Sequence, residues 1–219
     1  MLRYPCLILD HDDTVVQSEA TVNYPYFCQV LEQFRPGTRI SIEEYTEGCY
    51  QTGFVEMCRQ KYNFTDQELA VEYLGWKEYM KTHIPELFSG IKEFLMQYKA
   101  DGGIVCVVSL STEETIARDY RVLMGFQPDD IYGWDLPEQL RKPNPYPIEQ
   151  ILSKYRLSPD QVLVIDDMKT GWEMSQKQNV SVAFAAWGRS EASGIYREMA
   201  SICDHTFQTV DQLRQFIYA

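Results

Sequence analysis

Pro5-Cys6-Leu7-Ile8-Leu9-Asp10-His11-Asp12-Asp13-Thr14 passes from an unbroken apolar run straight into a knot of carboxylates. A run without polar alternation reads as a parallel strand covered on both faces. Comparable runs follow. Ile104-Val105-Cys106-Val107-Val108 ends in Ser109, and Gln161-Val162-Leu163-Val164-Ile165 ends in Asp166-Asp167. Val180-Ser181-Val182-Ala183-Phe184-Ala185-Ala186 is a fourth candidate, and Asp204-His205-Thr206-Phe207 a short fifth. Helical patterns separate them. Ser89 is placed to cap a helix with Ile91, Phe94, Leu95 and Tyr98 on one face, ended by Gly102-Gly103. Ser111-Thr112-Glu113-Glu114 reads as a capping box opening the helix after the second strand. Strands alternating with helices predict an α/β fold with a doubly wound, mostly parallel sheet. Ligands of such sheets bind beyond the carboxyl ends of the strands, which here carry Asp10, Ser109 and Asp166-Asp167.

Residues 17–88 differ. They lack strand-like runs and show helical spacing, as in Phe54, Cys58 and Tyr62 or Leu69, Tyr73, Trp76 and Tyr79. The expected organisation is an α/β core built from residues 1–16 and 89–219, with a helical module inserted at 17–88.

Composition narrows the function. Among 219 residues, 32 Asp and Glu oppose 20 Lys and Arg, a formal net charge of −12 with no long basic patch, so no nucleic-acid partner is expected. No apolar run reaches the length of a membrane span, and Asp10 interrupts the N-terminal apolar run before a signal-peptide core could form. The six cysteines (6, 28, 49, 58, 106 and 203) have no CxxC spacing, which favours reduced thiols and a cytoplasmic protein. A monomer or weak homodimer is expected.

Asp10 and Asp12 project to one side if strand alternation persists, and Asp166 and Asp167 reach the same crevice from another strand end. Each like-charged pair roughly 4 Å apart costs about 4 kcal/mol at an effective dielectric near 20, so the group needs protonation or a hard cation. An all-oxygen site with several carboxylates suits Mg²⁺. Ser109, beside a helix start, is a candidate anion contact. Lys142, held in Arg141-Lys142-Pro143-Asn144-Pro145, is a candidate phosphoryl-binding cation, with Arg141 as a competitor.

In order, Asp10-x-Asp12-x-Thr14, Ser109, Lys142-Pro143 and Asp166-Asp167-x-x-x-Gly171 resemble the four motifs of the haloacid dehalogenase superfamily. The branch most similar has a helical type-1 cap and contains β-phosphoglucomutases and small-molecule phosphatases. The resemblance implies a Rossmann-like core, with residues 17–88 as a cap that closes over the crevice. It also implies a Mg²⁺-dependent phosphatase acting on a small phosphorylated metabolite through an aspartyl-phosphate. Asp10 would be the nucleophile and Asp12 the general acid and base. Ser109 and Lys142 would bind phosphoryl oxygens, and Thr14 would brace the loop. Mg²⁺ would be held by Asp10, the Asp12 backbone carbonyl and Asp167, with Asp166 close or acting through water. Family members that cleave carbon–halogen bonds lack the second acid, so Asp12 argues for phosphoryl transfer. The chain departs from the motifs at Asp13, where glycine is usual, and at Met168, where serine is usual. His11 is a candidate substrate contact. The alternatives are a β-phosphoglucomutase-like phosphomutase and a low-activity, metabolite-binding protein of the same fold.

Overall fold

The computed structural model describes residues 2–219. They divide into two compact units: one runs to Val16 and resumes as Leu87–Ala219, and the other is Gln17–Glu86. The first holds the strands β1 (Cys6–Leu9), β2 (Ile104–Val108), β3 (Asp130–Tyr132), β4 (Val162–Asp166), β5 (Ser181–Ala185) and β6 (His205–Phe207). They form one parallel sheet in the order β3-β2-β1-β4-β5-β6. Four helices build the second unit: α1 (Tyr24–Phe34), α2 (Ile42–Thr52), α3 (Phe54–Tyr62) and α4 (Asp66–Met80). Six belong to the first: α5 (Ile91–Ala100), α6 (Glu113–Asp119), α7 (Tyr146–Tyr155), α8 (Lys169–Gln176), α9 (Gly194–Ile202) and α10 (Val210–Tyr218). The fold is a doubly wound, Rossmann-like α/β domain.

Strand alternation distributes the apolar runs over two cores. Leu7, Leu9, Val105, Val107, Leu163 and Ile165 pack with Phe94 and Tyr98 of α5, Ile116 of α6 and Leu213 and Ile217 of α10. The residues between them, Cys6, Ile8, Cys106, Val108, Val162 and Val164, pack with Ile148 and Ile151 of α7 and Met174 of α8. Both faces are covered, so these strands carry no polar face.

Register levels the strand tips. Leu9 pairs with Val107 on one side and with Ile165 on the other, so Asp10 emerges beside Asp166. Strand order reverses direction at β1, the position where doubly wound sheets open a crevice.

Several local expectations change. Gly90, in the left-handed conformation, precedes α5 in the cap position, and Ser89 does not cap it. Thr112 caps α6 by accepting from the Thr115 N–H, and there is no capping box with Glu114. β3 carried no run signal, being three residues that begin with a charged one. Gln161 belongs to the turn before β4, and Asp166 is the strand's last residue.

In the second unit, Phe27 and Leu31 of α1, Tyr45 of α2, Cys58 and Tyr62 of α3 and Phe64 form an aromatic-rich core. Ser41 with Glu44 and Thr65 with Glu68 form capping boxes that fix the starts of α2 and α4. Tyr73, expected on the apolar face of α4, is exposed, whereas Glu72 is buried. Among the described residues, no helix is long and apolar enough to cross a membrane.

Candidate active site

Asp10 follows β1 directly and its N–H donates to the Ile165 carbonyl, so the sheet continues one residue past the strand. The chain then turns sharply. Asp13 N–H donates to the Val16 carbonyl at 2.7 Å, and both Val15 and Val16 donate back to the His11 carbonyl. The turn places Asp13 at φ +52°, a left-handed conformation that costs a non-glycine residue about 1 kcal/mol.

Asp10 is buried, and one of its oxygens lies 2.8 Å from Lys142 Nζ. The same ammonium stands 2.6 Å from Asp166 Oδ2. Lys142 is buried as well, on the segment that leads into α7, and its peptide bond to Pro143 is cis. Burial works to lower the Lys142 pKa, but Asp10 and Asp166 outweigh it and hold the ammonium charged. Asp10 is the opposite case. Burial pushes its pKa well up; Lys142 pulls against that rise, and Asp166, Asp167 and Asp12 add to it.

Asp10, Asp166 and Asp167 each offer an oxygen, and the three oxygens lie within 4.8 Å of one another, all buried. Lys142 meets two of these carboxylates and Arg189 the third, and an all-oxygen donor set of this kind fits a hard divalent cation such as Mg²⁺. Asp166 is fixed by the Met168 N–H, which donates to its Oδ1 at 2.8 Å. Gly171 in α8 lies against the same side chain, and any Cβ there would run into the Asp166 carboxylate. Thr14 Oγ1 lies 3.4 Å from Asp167 Oδ1, and its carbonyl accepts from Trp187 Nε1 at 3.1 Å.

The Asp12 carboxylate turns elsewhere. Its Oδ2 accepts from Ser111 Oγ at 2.5 Å and faces Ser109 Oγ at 3.5 Å. Ser111 N–H in turn donates to Ser109 Oγ at 3.2 Å, joining the two serines into one bracket after β2. So Asp10, Asp166, Asp167 and Lys142 gather directly, while Asp12 and Ser109 form a second group around Ser111.

His11 is buried, and its Nε2 lies 3.1 Å from Asp119 Oδ2 at the end of α6. Arg141, the competitor for the cation role, lies over the Trp134 ring at 4.0 Å and donates to the Leu136 carbonyl. Two residues join the site that the sequence reading did not name for it. Ser111 fits a capping-box pattern locally, although a second serine two residues after Ser109 is a usable signal. Arg189 carried none. It follows the short turn Ala186–Gly188, is buried, donates to Asp167 Oδ2, and lies 3.5 Å from Asp13 Oδ2.

The profile of the haloacid dehalogenase-like hydrolases matches residues 7–185, and the chain belongs to that family of enzymes. No curated protein matches its sequence. Solved structures share the fold. A predicted phosphoglycolate phosphatase from Haemophilus somnus 129pt has a TM-score of 0.79 at 19% identity, covering 99% of both chains. A haloacid dehalogenase-like hydrolase from Bacteroides fragilis also has a TM-score of 0.79, at 20% identity, over 96% of this chain and 99% of that one. CbbY from Rhodobacter sphaeroides, solved with xylulose-(1,5)-bisphosphate, has a TM-score of 0.69 at 16% identity over 95% of each chain.

Proposed function

We propose that this hydrolase is a Mg²⁺-dependent phosphatase that releases phosphate from a small phosphorylated metabolite through a phosphoaspartate on Asp10. The observation that carries the reading is the separation of two acidic roles at one strand tip. Asp10 sits in the lysine-bridged carboxylate cluster, while Asp12 is held apart by Ser111 and Ser109.

In the first step an Asp10 oxygen attacks phosphorus, forming an O–P bond as the ester O–P bond breaks. The departing oxygen takes a proton from Asp12. In the second step the Asp12 carboxylate takes a proton from a water whose oxygen attacks phosphorus as the Asp10 O–P bond breaks, which frees Asp10 and inorganic phosphate and leaves Asp12 protonated for the next cycle. Ser109 and Lys142 hold the phosphoryl oxygens, and the Lys142 charge opposes the repulsion between phosphate and the carboxylates. Asp10, Asp167 and the Asp12 backbone carbonyl, with Asp166 close by, would hold Mg²⁺, which when bound would neutralise negative charge on the transferring group. A proton donor at Asp12 favours an alkoxide leaving group, which needs protonation, over a halide, which does not. The names of the fold neighbours, a predicted phosphoglycolate phosphatase and a protein solved with xylulose-(1,5)-bisphosphate, support small phosphorylated carbon compounds as the substrate class.

The test is a panel of phosphate esters, phosphoglycolate and pentose and hexose phosphates among them, assayed for free phosphate with Mg²⁺. Wild type is expected to hydrolyse at least one, and EDTA or Asp10→Asn to abolish the release. Release that never exceeds the Asp10→Asn control overturns the proposal. An isomerised sugar phosphate in place of free phosphate would make the chain a mutase.

A further inference from the structure

The two cations of the site divide its carboxylates between them. Lys142 takes Asp10 and Asp166. Arg189 takes Asp167 and faces Asp13. Arg189 is well anchored: its side chain is about 7% exposed, and the turn that carries it is pinned where Trp187 donates to the Thr14 carbonyl and Gly188 presses on Phe88. Asp13 occupies a strained left-handed position that glycine would occupy freely, yet its carboxylate is nine-tenths buried and points at Arg189. A guanidinium bonded to Asp167 takes electron density that a divalent cation would also use, and it repels that cation. A carboxylate at position 13 cancels most of this repulsion.

We propose that Arg189 and Asp13 are a charge-matched pair that sets how tightly the acidic cluster holds its divalent cation, Arg189 lowering the affinity by sharing Asp167 and Asp13 restoring it. This rests on the phosphatase reading insofar as that reading puts Mg²⁺ at Asp167. Arg189 is a positioning residue here and touches no reacting atom.

The experiment measures Mg²⁺ and Mn²⁺ dissociation constants by titration calorimetry, with no substrate present. The proteins are wild type, Arg189→Gln, Asp13→Asn, the double variant and Arg189→Lys. Asparagine tolerates the left-handed backbone, so Asp13→Asn removes charge without adding strain. Arg189→Gln is expected to tighten binding by roughly fivefold or more, and Asp13→Asn to weaken it by a similar factor. The double variant should return to within about twofold of wild type, and Arg189→Lys, which keeps the charge, should stay near it. Binding that is unchanged or weaker in Arg189→Gln overturns the proposal and leaves the phosphatase reading standing. Should Arg189→Gln fail to fold, Asp13→Asn decides alone, and an unmoved affinity there overturns it. Wild-type protein that binds neither ion overturns both readings.

Discussion

The Ser111 hydroxyl donates to Asp12 Oδ2 at 2.5 Å, which makes a residue outside the recognised motifs the nearest partner of the proposed acid and base. A hydrogen bond to a carboxylate contributes roughly 1.5–3 kcal/mol, and it also fixes which way the carboxylate faces. Ser111→Ala should therefore lower kcat on the best ester about tenfold, with KM nearly unchanged. Ser111→Thr should restore most of the loss. Steady-state kinetics on the three proteins check this, and an alanine variant within about twofold of wild type would show that Ser111 merely shapes the loop.

Lys142 bridges Asp10 and Asp166 in a buried setting. Removing one partner of a buried ion pair leaves charge uncompensated and costs about 3 kcal/mol or more. Lys142→Met should be destabilised by that amount in urea denaturation with EDTA present. Added Mg²⁺ should recover more stability in the variant than in wild type, because the ion replaces the missing positive charge. Equal Mg²⁺ effects in both proteins would contradict the shared-charge account.

Gly171 leaves no space between α8 and the Asp166 carboxylate. Gly171→Ala must displace that carboxylate or the helix, at about 1–3 kcal/mol for an overpacked site. The displaced group belongs to the acidic cluster, so Mg²⁺ affinity should fall at least tenfold, beyond what the loss of stability explains. Calorimetric titration checks the first number and chemical denaturation the second.

Glu72 lies buried in the helical unit, where burial pushes its carboxyl from 4.5 up to about 7. The folded state thus holds a proton that the unfolded chain releases first. Below pH 4.5 both states are protonated and Glu72 has no effect. From there to about pH 7 stability falls, and above it the full penalty is present, at most about 3 kcal/mol. Glu72→Gln should remove this dependence and be more stable than wild type at pH 8 by up to that amount. Denaturation curves for the two proteins at several pH values give the answer, and parallel pH profiles would refute the assignment.

How much of this was legible in advance depended on range. All five strand runs sit within one residue of where they were expected, and the fully buried ones carry their signature in consecutive residues. β3 was missed because three residues at a sheet edge, one of them Asp130, bury too little to leave a pattern. Ser89 and Ser111 were both read as helix caps, since a serine before a helix favours that role locally. In the folded protein Gly90 supplies the turn before α5, and the Ser111 hydroxyl donates to the Asp12 carboxylate in the turn after β1.

Apolar runs, their alternation with helices and the acidic residues at strand ends are properties of neighbouring positions, so the chain alone was enough to establish a doubly wound α/β domain with carboxylates at its tips. Which cation faces which carboxylate was settled only by folding. Arg189 and Asp167 are bonded across 22 positions, Lys142 and Asp10 across 132, and His11 and Asp119 across 108. Charge pairs at such separations leave no periodic trace, because attraction acts through space once water is excluded and is blind to distance along the chain.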